Sequence, residues 1–283
     1  MKLISYVHGG TESWGAVMGE HIADLASRTG YATLAEFLGS PAFQHRDTYL
    51  PAAPTLRLDQ VALLPVIPRP EKIVCVLRNY LDPTQAQAVS QADLPAYPPL
   101  FLRTWRSQAA HNAPIVHPKE SNALDWEGEL AVVIGKAGRR IPEDQAYEYV
   151  AGYACYNDGS VRDWQAHARQ IASGKNFEGT GGFGPWLVTA DEIDPARPLR
   201  IQTRLNGEVV QDGDTSQMIF GIPRLINYIS TIVTLVPGDV IVTGTPAGSG
   251  FTRKPPRFMK PGDVCEVEID GIGVLRNPII MQE

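Results

Sequence analysis

Glu127 and Glu129 flank Gly128 in the segment LDWEGELAVVIG. The run LAVVI is apolar on both alternating faces, so the strand it predicts is buried on both sides. Residues two apart on a strand point the same way, which sets the two carboxylates roughly 6.6 Å apart along it. At the mouth of a buried strand they repel each other unless protons or a cation intervene. A hard divalent ion such as Mg²⁺ accepts oxygen ligands and supplies that charge. Gly128, with no side chain, lets something approach the backbone closely. The pattern also describes two solvated glutamates on an exposed strand end.

Three further segments carry polar groups suited to the same chemistry. In YNDGSVRDWQ, which follows the apolar strand GYACY, Asp158 stands at a strand end as a third oxygen ligand. NDGS can equally be turn chemistry, with Asp163 capping or pairing with Arg162. In SGKNFEGTGGFGPW, Lys175 lies in a glycine-dense stretch read as a loop that closes over a ligand or is merely flexible. VTGTPAGSGF follows the strong strand DVIV. Its backbone N–H groups, Gly244 among them, and the Thr245 hydroxyl can hold a carboxylate or enolate oxygen.

The elements that must position these groups are mostly strands. The 26 Gly and 23 Pro favour short strands joined by tight loops over a helical protein. Strand signals recur in KIVCVL, FLRTW, ELAVVIG, GYACYN, PWLVTA, LRIQTRLNGEVV, DVIVTG and VCEVEIDGIGVLR. Asn206–Gly207 and Asp270–Gly271 read as hairpin turns. IPEDQAYEYV and IPRLINYISTIVT read as helices. Residues 1–70 read as a small separate unit, with LISYV a strand and both GEHIADLASRTG and TLAEFLG helix-like. The proline-rich VALLPVIPRPEK marks a boundary before a domain spanning 71–283. The expectation is a β-rich α+β protein with a small N-terminal domain.

A net charge of −6 and the lack of a basic run exclude a general nucleic-acid or anionic-membrane binder. Cys75, Cys155 and Cys265 are odd in number and widely spaced, which fits neither a disulfide framework nor a thiolate zinc site. With no signal-like N-terminus and no membrane span, the cytoplasm is the expected address.

Taken in order and spacing, the segments from about Leu124 to Pro278 resemble the fumarylacetoacetate hydrolase family. The resemblance rests on LDWEGELAVVIG, NDGSVRDWQ, SGKNF, NGEVVQDGDTSQMIF, VPGDVIVTGTPAGSGF and KPGDVCEVEIDGIGVLRNPI. It implies a mixed β-sandwich roll, usually a homodimer, with a Mg²⁺ or Mn²⁺ site at Glu127, Glu129 and Asp158. Lys175 matches the family's active-site lysine, and Gln165 and Thr245 fall where it has substrate-side polar groups. The implied substrates are 2-oxo or 1,3-diketo acids. The metal then serves as a Lewis acid for an enolate, and Lys175 adds positive charge at the developing oxyanion.

One stretch departs from the family. Hydrolytic members carry a motif like GLNYxxHxxE, whose His and Glu activate water. LRNYLDPTQA keeps Asn79 and Tyr80 but has Pro83 and Ala86 in those two places. Proline can neither take nor deliver a proton. Asp82 and His111 are the candidate substitute bases, His111 the weaker of the two; His117 and His167 read as structural. Tyr80 is a substrate-side candidate, and Arg78 and Arg103 are candidates for a substrate carboxylate. Three readings follow, of which the first is preferred. Family frequency favours a C–C hydrolase of acylpyruvates or fumarylacetoacetate-like acids. The missing histidine favours an isomerase, decarboxylase or hydratase of a 2-hydroxy-dienoate. A ligand-binding pseudoenzyme is opposed by the intact carboxylate–lysine set.

Overall fold

The computed structural model describes residues 1–54, 56–82, 84 and 94–283. Its N-terminal part contains β1 (Lys2–His8), β2 (Thr11–Met18), β3 (His21–Asp24), helices α1 (Ala26–Thr29) and α2 (Leu34–Leu38), β4 (Leu56–Arg57) and β5 (Ala62–Leu63). Next come β6 (Ile73–Val76), β7 (Leu100–Arg103), β8 (Gln108–Ala109), β9 (Ile115–His117), β10 (Leu124–Asp125), β11 (Gly128–Ile134) and β12 (Val150–Asn157). β13 (Ser160–Val161), α3 (Arg162–Gln165), α4 (Ala172–Lys175) and β14 (Gly181–Thr189) follow. The remainder is β15 (Arg200–Leu205), β16 (Glu208–Asp214), α5 (Ile222–Ile232), β17 (Val240–Val242), β18 (Val264–Ile269) and β19 (Gly273–Met281).

A large mixed sheet runs β4-β3-β2-β1-β14-β12-β11-β17-β6-β7, and a second runs β16-β15-β18-β19-β9. β11 lies centrally in the first, between β12 and β17, and all seven of its residues are buried. Its alternation sorts two cores. Leu130, Val132 and Ile134 pack with Ile201, Val267 and Leu275 of the second sheet and with Leu225 and Ile229 of α5. Ala131 and Val133 pack on the opposite face with Leu3, Trp14, Leu34 and Phe37. Each fully buried large aliphatic side chain contributes about 1.5–3 kcal/mol, so this two-sided burial fixes the strand's register. The β-rich α+β expectation holds.

The first residues join this sheet directly, because β1 pairs with β14 at Lys2↔Val188 and Leu3↔Leu187. Trp14 stacks on Phe37 at 4.6 Å, within the core that also contains Ala131 and Tyr156. No helix among the described residues is long and apolar enough to cross a membrane. The three cysteines are buried in β6, β12 and β18, as small apolar fillers are.

Some local expectations are corrected. GEHIADLASRTG is not one helix: His21–Asp24 is a strand paired with β2, and only Ala26–Thr29 is helical. The apolar spacing of HIAD suits either state, and pairing with β2 decides it. The glycine-dense GGFG is not a loop but the buried start of β14. There a Cβ on Gly181 would come within 2.7 Å of the Arg103 guanidinium, so glycine makes room for a buried arginine. IPEDQAYEYV forms a 3₁₀ helix over Glu143–Tyr149. The Asn206–Gly207 turn has φ of 54° and 81°, as a two-residue hairpin needs. The second hairpin closes at Ile269↔Gly273 and so has three loop residues rather than two.

Candidate metal centre

β11 and β12 run antiparallel with Gly128 opposite Asn157, which brings Glu127 and Glu129 to the end of β12. The Asn157 side chain accepts the Glu127 N–H at 3.0 Å, and the Asp158 N–H donates to the Glu127 carbonyl at 2.8 Å. Asp158 therefore turns in beside the two glutamates. One carboxylate oxygen from each of Glu127, Glu129 and Asp158 lies within 4.8 Å of the others, and all three residues are buried. What approaches Gly128 is protein: a Cβ there would sit 2.1 Å from the Thr203 hydroxyl of the second sheet.

Three cations surround the cluster. Lys175, fully buried at the end of α4, donates to Glu127 and Asp158 at 2.5 Å each. Arg162 reaches Glu127 at 2.6 Å and Asp125 at 2.8 Å. Arg103 pairs with Asp158 and donates to the Gly159 carbonyl, Ser107 and Thr180. Burial alone would raise the Glu127 carboxyl, but Arg162 and Lys175 outweigh it and hold it at about 2. Burial lowers the Lys175 ammonium, and Asp158 and Glu127 more than restore it, so it stays charged. Glu129 is driven the other way. Burial pushes its carboxyl well above the usual range, and the charges of Asp158 and Glu127 push it further.

Glu129 has no cationic partner among the described residues; its one hydrogen bond comes from the Gly244 N–H at 2.6 Å. Fully ionised, the four carboxylates, counting Asp125, would outnumber the three cations by one, and burial together with that excess is what raises the Glu129 carboxyl when no cation is bound. An all-oxygen donor set with an uncompensated carboxylate fits a hard divalent cation. The geometry suits such an ion at Glu127, Glu129 and Asp158.

The other predicted residues fall as follows. Gly244 spends its N–H on Glu129 and has none left for a substrate. Thr245 donates to the Gly128 carbonyl at 2.8 Å and accepts from Gln211 at 2.9 Å, so its hydroxyl secures the loop to β11. Gln165 accepts from Arg162 at 2.9 Å, one residue removed from the carboxylates. Arg103, fully engaged and buried, is not available to a substrate carboxylate. Tyr80 sits at the Thr243 hydroxyl, 3.3 Å away. Arg78 is exposed, with a left-handed φ of 52°, next to the buried Asn79. Asp82 accepts from Thr84. Pro83 and Ala86 lie outside the described residues. His111 contacts the Arg276 N–H and His117 its neighbour's carbonyl, neither of them cluster residues. His167 packs against Trp164.

Two functional neighbours were not foreseen. Asp125 accepts from the N–H groups of Trp126, Gly250 and Phe251 and holds Arg162. Arg162 pairs with Asp125 and Glu127, while Asp163 accepts from Ser121 and Trp164 instead of meeting Arg162. Asp125, only two residues before Glu127, was the visible signal.

The fold and this buried carboxylate cluster define a β-rich protein with a candidate metal site, and comparison places it. The chain belongs to the fumarylacetoacetate hydrolase family: the model described as fumarylacetoacetate (FAA) hydrolase C-terminal matches residues 72–280. It is 44% identical over 227 residues to a mitochondrial oxaloacetate tautomerase of Xenopus laevis, covering 80% of this chain and 70% of that one. A solved fumarylacetoacetate hydrolase from the psychrophile Exiguobacterium antarcticum superposes with a TM-score of 0.85 at 33% identity, both chains covered in full. The maleylpyruvate hydrolase of Sphingobium sp. SYK-6, solved with manganese(II) and pyruvate, gives 0.82 at 27%, again over both whole chains. The protein is thus an enzyme of this family, with tautomerase and hydrolase relatives.

Proposed function

We propose that the enzyme is a divalent-metal-dependent tautomerase that interconverts the enol and keto forms of a 2-oxo dicarboxylic acid of the oxaloacetate type. The observation that carries this reading is the buried cluster of Glu127, Glu129 and Asp158 with one charge uncompensated. The relative at 44% identity, named an oxaloacetate tautomerase, supports the substrate class. Manganese(II) and pyruvate in the Sphingobium structure support a divalent ion and a 2-oxo acid. Mg²⁺ and Mn²⁺ both suit the donor set.

When bound, such an ion supplies Lewis-acid polarisation of the substrate's 2-oxo group. The chain's own groups do the rest. Arg162 and Lys175 keep Glu127 ionised, so it remains a ligand throughout the neutral range. Lys175 holds a proton at Nζ against two of the three carboxylates, and in that state it can donate a proton rather than accept one. Tautomerisation moves one proton from the enol oxygen to carbon and consumes no water. It therefore needs no water-activating dyad, which fits Pro83 and Ala86 standing in place of the hydrolytic His and Glu. Arg78 and Tyr80, beside the loop that carries Gly244, are assigned to the substrate's distal carboxylate. The reading includes a homodimer in the cytoplasm, on the family resemblance and the sequence expectation.

A second reading, C–C hydrolysis of an acylpyruvate, is favoured by the full-length likeness to maleylpyruvate hydrolase. Ultraviolet decay of enol-oxaloacetate, with product analysis, separates the two. Metal-dependent acceleration that leaves all four carbons in the keto acid is the expected result. Inertness toward the enol, together with cleavage of an acylpyruvate to pyruvate and an acid, would replace tautomerase with hydrolase.

A further inference from the structure

The loop after β17 is fastened over the carboxylate centre by three polar clasps. Gly244 binds Glu129 directly, and Gly250 and Phe251 bind Asp125. The middle clasp is the side-chain amide of Gln211, which comes from β16 of the second sheet and touches none of the three clustered carboxylates. Its Oε1 accepts from the Gly128 N–H at 3.0 Å and from the Thr203 hydroxyl at 2.9 Å. Its Nε2 donates to the Thr245 hydroxyl at 2.9 Å and to the Pro246 carbonyl at 2.8 Å. The Thr245 hydroxyl in turn donates to the Gly128 carbonyl at 2.8 Å, which closes a ring. Gln211 is only 2% exposed, and each of its four hydrogen-bonding positions is filled.

We infer that Gln211 is a positioning residue for the cluster: by coupling Gly128, the backbone link between Glu127 and Glu129, to the loop that carries Gly244, it sets the affinity for a divalent cation. The inference rests on the metal reading given above. The side chain must accept on the β11 side and donate on the loop side, and a primary amide does both at once. A shift of Gly128 moves both glutamates, because they are its two neighbours in the chain, Glu127 just before β11 and Glu129 within it. A shift of the loop moves the Gly244 N–H that orients Glu129. Outer partners of this kind are worth about 10–100-fold in metal affinity.

The test is Mn²⁺ binding by calorimetry on the full chain without substrate, beside melting of the metal-free protein. Gln211→Met keeps the volume and deletes all four hydrogen bonds; Mn²⁺ affinity should fall about 10–100-fold. Thr203→Val removes one bond at the same junction but leaves the links to Gly128 and the loop; it should lower the melting temperature with affinity unchanged. If Gln211→Met does not fold, Thr245→Val, which removes the hydroxyl that ties the loop to both Gln211 and the Gly128 carbonyl and leaves Gln211 on the Pro246 carbonyl, decides by the same readout, with weaker Mn²⁺ binding expected. Wild-type affinity in a folded Gln211→Met protein, or in Thr245→Val should that be the deciding variant, would overturn the inference. A Thr203→Val loss as large as that of Gln211→Met would also overturn it, since the effect would then be general loosening. Failure of the wild type itself to bind Mn²⁺ would overturn the metal reading and this inference with it.

Discussion

The chain places ion pairs in two very different settings. On the second sheet, Arg200 pairs with Asp212, and their side chains are 55% and 46% exposed. At the end of β11 and β12, Lys175 and Asp158 are 1% exposed and share one cluster with Glu127, Arg162 and Arg103. The residue types are the same, but the surroundings reverse their meaning. Exposed pairs are screened by water and contribute about 0–1 kcal/mol each. Buried ones carry a desolvation cost that only a complete set of partners offsets. In this cluster the set is complete except at Glu129, and that deficit marks the site.

Lys175→Met should break the contrast most severely. It removes the cation shared by Glu127 and Asp158 and is expected to destabilise the metal-free protein by about 3–5 kcal/mol. Calorimetric melting without metal checks this, and an unchanged melting temperature would mean the buried pairs behave like surface ones. Asp125→Asn should cost less, about 1.5–3 kcal/mol, because an amide nitrogen would face donors from Arg162 or Phe251. Chemical denaturation measures it, and wild-type stability would deny Asp125 its part in holding Arg162. Arg200→Ala, in the exposed setting, should leave both stability and Mn²⁺ binding essentially unchanged. A clear loss in the same denaturation experiment would erase the distinction between the two regions.

These contrasts also show which features were legible in the sequence. Glu127, Glu129 and Asp158 could be read because their placement depends on local rules: period-two alternation, a buried apolar run and a strand end. The Asn206–Gly207 hairpin was readable for the same reason. Of the cations that give the carboxylates their character, Lys175 was legible only through the family resemblance, and Arg103 and Arg162 were not legible as their partners. Arg103 meets Asp158 across 55 positions and Lys175 meets Glu127 across 48, and only sheet pairing and helix packing bring them together. Glycines 181 and 182 look like loop residues because sequence shows their flexibility and hides their other use. In β14 they leave space for Arg103 and Asn277. Gly244 illustrates a third case: its N–H was rightly placed near an oxygen, but that oxygen belongs to Glu129.

The central claim is that Glu127, Glu129 and Asp158 form a single divalent-cation site whose missing charge is felt at Glu129. It is tested most directly by titrating Mn²⁺ into the wild type and Glu129→Gln, counting bound ions by electron paramagnetic resonance. One tightly bound ion per wild-type chain, lost or greatly weakened in Glu129→Gln, is the predicted result. Absence of a bound ion in the wild type, or equal binding by the variant, would contradict it.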